Sequence, residues 1–144
     1  MTAVPPPVSR ILETSLYVED LDRSVAFYQR LFGFPVMTHD FRMCAMAVPN
    51  REVLLLFHKG ASSEPSETPF GMIPPHDSQG VQHLCFAIPA GALEAWRIHL
   101  ETESVAVESE LRWPQGATSL YFRDPDGHSL EVATPGLWPN DRGG

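Results

Sequence analysis

The stretch ETSLYV at residues 13–18 has a counterpart in HLCFAI at residues 83–88, and this pair decides the fold. Both stretches are rich in residues that favour β-strands, and they alternate as strands do. When Glu13 is superposed on His83, the amphipathic helical segments that follow also correspond. An internal repeat constrains the architecture more firmly than any single element. The chain is therefore predicted to contain a β-α-β-β-β module twice.

Turn and capping residues set the element boundaries within each half. Asp20 is placed to cap a helix in EDLDRSVAFYQRLFGF, and Gly33 suits the left-handed position at its end. Asp126-Gly127 is interpreted as a two-residue hairpin turn with both residues at positive φ. The remaining predicted elements are strands at 11–18, 35–39, 42–48, 53–59 and 81–88, a helix in AGALEAWRIHLETE, and three further strands, the last in DPDGHSLEV.

A segment rich in Ser, Pro, Glu and Gly separates the two halves. Residues 60–80 are interpreted as a long loop, and long loops in compact domains are functional or disordered. The predicted organisation is a flexible leader at 1–10, a first module at 11–60, a connecting loop at 61–80, a second module at 81–135 and a C-terminal tail at 136–144.

Composition excludes several classes of function. A formal net charge of −8 argues against nucleic-acid binding, because phosphates would be repelled. No apolar run approaches the roughly 18 residues of a membrane span. Cys44 and Cys85 lie in apolar strand-like runs rather than in a spaced framework. They are interpreted as reduced thiols, which is typical of a cytoplasmic protein.

Strand parity brings three polar side chains to equivalent positions. Side chains alternate between the two faces of a strand, so Glu13, His83 and Glu131 point away from the helices. Apolar neighbours pack beneath the helices instead: Leu16 and Val18, Leu84 and Phe86, Leu130 and Val132. An imidazole and two carboxylates on rigid strands form a plausible shell for a divalent metal. A single residue of this kind is more often structural or on the surface, and it is the three repeat-related positions together that give the metal site equal weight.

The same stretches carry a resemblance to a known family. LYVEDLDRSVAFYQRLFGF, HLCFAI and YFRDPDGHSLEV resemble the vicinal oxygen chelate superfamily over about residues 11–135. That superfamily includes glyoxalase I, fosfomycin-resistance thiol transferases, extradiol dioxygenases, methylmalonyl-CoA epimerase and metal-free bleomycin-resistance proteins. The resemblance implies an α+β fold in which two βαβββ modules form an open, curved, mixed sheet around a metal cleft.

The resemblance also implies a ligand set. His83 matches the family's usual histidine, Glu131 matches its usual glutamate, and Glu13 stands where many members have histidine. Leu55 occupies the position of the fourth ligand of glyoxalase I and cannot bind a metal. The implied cofactor is a divalent ion, with Zn, Mn, Fe, Co and Ni all compatible with nitrogen and oxygen ligands.

The implied shell favours some reactions over others. Neutral His83 and two ionised carboxylates bring a divalent centre to about zero charge, and this is not the usual iron triad for oxygen chemistry. A lyase, isomerase or transferase that chelates a small substrate through vicinal oxygens therefore ranks above an extradiol-type dioxygenase. Glu13 or Glu131 is the candidate catalytic base. The alternative is a metal-free binding protein of the bleomycin-resistance type.

Aromatic and basic residues are candidates for substrate contact. Residues that could line the cleft are Tyr17, Phe57, His76, Trp113 and Tyr121. Single aromatic residues are more often packed in the core or at the rim, and a loop histidine such as His76 is more often solvated. Arg112 and Arg123 could meet an anionic group, but surface charge is their default interpretation.

Other histidines are assigned minor roles, and the assembly state is inferred from the fold. His58 is expected to be no ligand, His99 to lie on the surface and His128 beside a turn. A homodimer is expected, because C2 pairing is common. The sequence leaves open whether the metal site lies within one chain or between two.

Overall fold

The computed structural model describes residues 4–141, so the outermost parts of the predicted leader and tail (1–3 and 142–144) lie outside the described residues. These described residues form ten strands and two α-helices. Their bounds are β1 Glu13–Val18, α1 Leu21–Phe32, β2 Val36–His39, β3 Met43–Val48, β4 Glu52–His58, β5 Ser66–Thr68, β6 Gly71–Ile73, β7 His83–Ala87, α2 Leu93–Thr102, β8 Ser109–Arg112, β9 Thr118–Arg123 and β10 Ser129–Ala133.

Two equivalent four-stranded sheets confirm the predicted repeat. The first has the order β1-β4-β3-β2 and the second has the order β7-β10-β9-β8. In each sheet the first strand of the module pairs in parallel with its last strand, and the remaining pairs are antiparallel. The predicted α+β fold of two βαβββ modules is therefore confirmed, and its open mixed sheet consists of two four-stranded sheets.

Helix α1 begins and ends where its capping residues predict. The Asp20 side chain accepts the backbone N–H of Arg23, and Gly33 adopts a left-handed conformation with φ 72°. The first satisfies an unpaired amide at the start of the helix, and the second ends it without a Cβ clash. Between them the buried stripe of the helix packs on the sheet: Leu21, Val25, Phe27, Tyr28 and Leu31.

The two modules share one core through their helices. The ring of Phe32, at the end of α1, lies 4.6 Å from Phe86 and 5.6 Å from Trp96 between centroids. His99 on α2 is 2.7 Å from the carbonyl oxygen of Leu31, to which its Nε2–H donates. The surface position predicted for His99 is therefore wrong. Its side chain is half-buried because its Nε2–H bonds the helix of the other module.

The segment between β9 and β10 is a wider loop than predicted. Ser129 pairs with Arg123, so residues 124–128 form the loop, and only Gly127 has positive φ (81°) there. The predicted two-residue turn with Asp126 also at positive φ is wrong. The reason is the Asp124 carboxylate, which accepts the backbone N–H groups of Asp126 and His128 and holds the wider loop.

His128 in this loop forms hydrogen bonds with both modules. The imidazole is fully buried, where the sequence suggested only a position beside a turn. Its Nδ1 accepts the backbone N–H of Gln82 at 3.0 Å, and its Nε2–H donates to the carbonyl oxygen of Tyr17 at 2.8 Å. One side chain therefore ties the end of β1 to the start of β7.

The connecting segment contains a short hairpin. Strands β5 and β6 pair from Ser66–Ile73 to Thr68–Gly71, and Phe70 at the tip is 98% exposed. His76 then contacts the first sheet through Tyr17 and Phe57. Its backbone N–H donates to the carbonyl oxygen of Ser62, just after β4. Residues 4–141 include no helix long and apolar enough to cross a membrane.

Candidate metal centre and substrate cleft

Parallel pairing of β7 with β10 places His83 beside Glu131. Ser129 is the partner of His83 and Cys85 is the partner of Glu131, so the imidazole and the carboxylate share the open face, the side of the sheet away from the helices. His83 Nε2 lies 3.2 Å from Glu131 Oε1. The Glu131 side chain is 4% exposed and that of His83 is 52% exposed, so the pair is reached from one side.

A backbone contact orients the imidazole toward the carboxylate. His83 Nδ1 lies 2.8 Å from the carbonyl oxygen of Ser129, which can only accept a hydrogen bond. Nδ1 therefore carries the proton, and in the neutral ring the lone pair of Nε2 points at Glu131 Oε1. Two electron-rich atoms facing each other need a shared cation, either a proton or a metal ion. Metal-bound histidines are commonly held through the other nitrogen in this way.

The second carboxylate oxygen of Glu131 has no partner. Oε2 is buried and accepts no hydrogen bond within residues 4–141. An unsatisfied buried polar atom costs about 1–3 kcal/mol, and more when it is charged. The residues present therefore fit a divalent cation, which would satisfy both Oε2 and the free lone pair of His83.

Two protonated groups surround this carboxylate. Burial, followed by the charge of Glu131, raises the pKa of the Cys85 thiol to about 12. The same two causes, in the same order, raise the pKa of the Tyr121 phenol. Both groups are therefore neutral at physiological pH in the metal-free protein.

Glu13 lies apart from this pair within the chain. It occupies the open face of the first sheet, at the edge of a cavity of about 540 Å³ that Ser15, Tyr17 and Leu55 also line. Among the described residues, no group of three His, Cys, Asp or Glu side chains could hold one ion. The structure thus brings His83 and Glu131 together on the open face of the second sheet and leaves Glu13 on the open face of the first sheet. Leu55 lies on that face as expected and offers no ligand.

The predicted substrate residues fall into two groups, one on each open face. On the first face the Tyr17 hydroxyl is 2.7 Å from His76 Nδ1, and the Phe57 ring lies 5.7 Å from that of Tyr17 and 4.5 Å from that of His76. On the second face the indole N–H of Trp113 donates to Ser119, and the Tyr121 ring stacks 6.2 Å from His83.

The structure adds one residue that sequence reasoning missed. Arg42 lines the same cavity as Glu13, with its guanidinium 5.8 Å from the centroid of Phe57. No sequence signal distinguishes it from a surface arginine. The two arginines that the sequence singled out are paired instead, Arg112 with Glu110 at 3.8 Å and Arg123 with Glu108 at 2.9 Å. His58 is exposed and lies on neither open face, as predicted.

Two βαβββ modules with a histidine–glutamate pair on one open face are typical of the vicinal oxygen chelate fold. The model of the Glyoxalase/Bleomycin resistance protein/Dioxygenase superfamily matches residues 10–132, and the chain belongs to this superfamily.

Solved structures agree with this membership. A lactoylglutathione lyase from Agrobacterium tumefaciens is 36% identical with a TM-score of 0.85, over 93% of this chain and 99% of that one. The fosfomycin resistance protein FosX from Listeria monocytogenes, complexed with Mn(II) and sulfate, is 19% identical with a TM-score of 0.67, over 91% and 94% of the two chains. The FosX likeness shows the fold alone.

Proposed function

We propose that the protein is a metal-dependent, glyoxalase-like enzyme of the lyase, isomerase or transferase type. The observation that carries this proposal is the pair of His83 and Glu131, with a fixed tautomer and a buried carboxylate oxygen that lacks a partner. The lyase type is favoured by the 36% identity to a lactoylglutathione lyase. A small substrate with vicinal oxygens is the expected ligand.

We further propose that the site is completed in a homodimer. Each chain presents Glu13 on one open face and His83 with Glu131 on the other, and both faces are accessible. Pairing two copies about a twofold axis would bring the first face of each against the second face of the other. The exposed apolar residues beside β1 and β7 support such an interface: Ile11 (71%), Leu12 (56%) and Val81 (63%).

In this scheme His83, Glu131 and Glu13 of the second copy hold the ion. A bound divalent ion supplies positive charge that polarises two adjacent substrate oxygens. Glu131 is held rigidly by burial in a central strand, which suits it to fix the geometry. Glu13 is exposed and less constrained, so its carboxylate oxygen is the better candidate to accept and return a proton.

Metal analysis of protein purified without chelators tests the proposal. We expect about one equivalent of divalent ion per chain in the natural protein, and loss of the ion in His83→Ala and Glu131→Gln. His58→Ala is the matched control, because this exposed histidine lies on neither open face. Circular dichroism should show that all variants fold. A natural protein that takes up none of Zn, Mn, Fe, Co or Ni would overturn the proposal.

The second candidate function is metal-free binding of a small aromatic molecule. The stacked Tyr17 and Phe57 rings on the first open face favour it, because they need no ion to hold a flat ligand. An extradiol dioxygenase ranks lower, since the proposed ligand set contains one histidine. In either case we place the protein in the cytoplasm, on the basis of its two free cysteines, Cys44 and Cys85.

A further inference from the structure

A cavity of about 370 Å³ lies where the two modules meet, on the helix side of their sheets. Leu54 on β4 and Phe86 on β7 line it, and strand parity points both side chains toward the helices. This inter-module cavity is therefore separate from the two open faces. Its apolar lining comes from both modules: Phe32, Phe34 and Leu54 from the first, and Leu84, Phe86 and Trp96 from the second.

Aromatic side chains form one wall of the inter-module cavity. The ring of Phe32 lies 5.0 Å from that of Phe34, in addition to its contacts with Phe86 and Trp96. Phe32, Phe86 and Trp96 pack against the shared core but remain half-buried. The wall therefore presents apolar surface that a ligand of suitable shape would remove from water. A concave apolar surface with a few polar groups is typical of a small-molecule site.

A carboxylate lies at the rim of this apolar cavity. Glu52 begins β4, pairs with Val48 of β3 and lines the cavity, and it is exposed. Within residues 4–141 no cationic side chain lies at ion-pair distance from Glu52. Arg10 reaches the adjacent turn, but its Nη1 donates to the carbonyl oxygen of Arg51. The carboxylate is therefore available to a ligand.

The turn between β3 and β4 fixes the position of this rim. Asn50 and Arg51 both have positive φ, 67° and 62°, which is the pattern of a tight type I′ turn. Asn50 and Thr14 line the cavity together with Glu52, and their side-chain oxygens are acceptors for an ammonium group. The described residues that line the cavity include no Lys, Arg or His. The rim thus combines negative charge with hydrogen-bond acceptors.

We infer that the inter-module cavity binds a small aromatic amine, with its ring against Phe32 and Trp96 and its ammonium group at Glu52. Aromatic faces and a carboxylate both attract a cation, so the two parts of the cavity select the same ligand. The net charge of −8 on the chain favours cations over anions in the same way. The inference is independent of the proposed function, because none of the proposed metal ligands lines this cavity.

NMR of the tryptophan indole N–H groups tests the site in the protein as purified. Benzylamine, benzyl alcohol and benzoate share one ring and differ in charge, and each is titrated separately. We expect benzylamine to cause a saturable shift of the Trp96 signal, with benzyl alcohol at least fivefold weaker and benzoate weaker again. Trp113 and Trp138 are internal controls, because neither lines the cavity. Trp96→Phe assigns the signal.

Variants separate the carboxylate from the apolar wall. Glu52→Gln removes the charge, so it should bind benzylamine no more tightly than benzyl alcohol while its affinity for benzyl alcohol is unchanged. Glu67→Gln is the matched control, since this exposed glutamate lies on the β5–β6 hairpin, away from the cavity. Val48→Phe places a larger side chain in the cavity and should weaken all three ligands. Circular dichroism checks that each variant folds.

Three results would overturn the inference. The first is the absence of a saturable Trp96 shift with benzylamine. The second is the same preference for benzylamine in Glu52→Gln as in the natural protein. The third is a Trp96 signal that changes with protein concentration and not with any ligand, because a second copy of the chain would then cover the cavity.

Discussion

At the scale of single residues, the chemistry is concentrated around one carboxylate. Glu131 faces a histidine of fixed tautomer, and its charge contributes to the raised pKa values of the Cys85 thiol and the Tyr121 phenol. The sequence placed Glu131 on the correct face because strand parity is a local property. It could not show that the side chain is buried, because the burial depends on neighbouring strands that are distant in sequence.

The first prediction concerns the reactivity of Cys85. In the metal-free protein the Cys85 thiol has a pKa of about 12, so it is protonated at pH 8 and its thiolate appears only as the pH rises toward that value. The small thiolate fraction outweighs the higher nucleophilicity of each thiolate, so alkylation by iodoacetamide should be roughly tenfold to a hundredfold slower than for a free cysteine. Mass spectrometry over a pH series measures the rate.

Variants separate the causes of this slow reaction. Glu131→Gln removes the charge but not the burial, so the rate at pH 8 should increase while staying below that of free cysteine. Cys85→Ser identifies the labelled site, since Cys44 is buried. Alkylation of the natural protein at the rate of free cysteine would contradict the prediction.

At the scale of elements, the loop between β9 and β10 explains how the modules are joined. Asp124 accepts bonds from its own loop and from the Tyr28 hydroxyl of α1 at 2.7 Å, while His128 bonds the ends of β1 and β7. Burial raises the pKa of Tyr28 well above its ordinary value, and Asp124 adds to the shift. The loop thus connects three elements of both modules by buried hydrogen bonds.

The second prediction is that His128→Ala destabilises the protein by about 2–4 kcal/mol. The substitution leaves the Tyr17 carbonyl and the Gln82 amide without partners and opens a cavity at a fully buried position. Urea denaturation followed by fluorescence gives the free energy of unfolding. His58→Ala, at an exposed position, should change it by less than about 0.5 kcal/mol. Equal effects of both substitutions would refute the proposed role of the loop.

Local signals account for the elements that the sequence predicted correctly. Asp20 and Gly33 fixed the ends of α1 because capping needs only neighbouring residues. The β5–β6 hairpin was missed because its strands are very short and their composition is that of a loop. His99 was misplaced because its partner, Leu31, belongs to the other module. Contacts between modules are not encoded in the periodicity of one helix.

At the scale of the whole molecule, the described residues place two different polar clusters on separate open faces, and we propose that the two combine in a dimer. The first open face has Glu13, Arg42 and an aromatic lining, and the second has His83 and Glu131. The repeat predicted which strands hold these residues. It could not predict whether the two faces meet within one chain, because that depends on how modules pack through Phe32, Phe86 and Trp96.

The third prediction distinguishes sites between chains from sites within one chain. Glu13→Gln and His83→Ala homodimers should each lack complete sites. If the two are unfolded together and refolded, mixed dimers regain one intact site from the Glu13 of one chain and the His83 of the other. Statistical mixing should restore about a quarter of the metal content of the natural protein. Metal analysis of the refolded sample measures it.

The control is each variant refolded alone, which should bind no metal. Mixed samples that also bind none would show that ligands from different chains do not combine. The proposed dimeric site would then be abandoned.

The separation of Arg42 from His83 and Glu131 onto different modules has an evolutionary consequence. After an internal gene duplication, one module can keep the residues proposed to bind the metal. The ligand-contacting residues of the other module are then free to change. Substitutions around the cavity of the first sheet can accumulate without disturbing the histidine–glutamate pair on the other sheet. In the proposed dimer, two diverged paralogues that assemble together would combine the first open face of one chain with the second open face of the other. New specificities would then arise from new combinations of subunits.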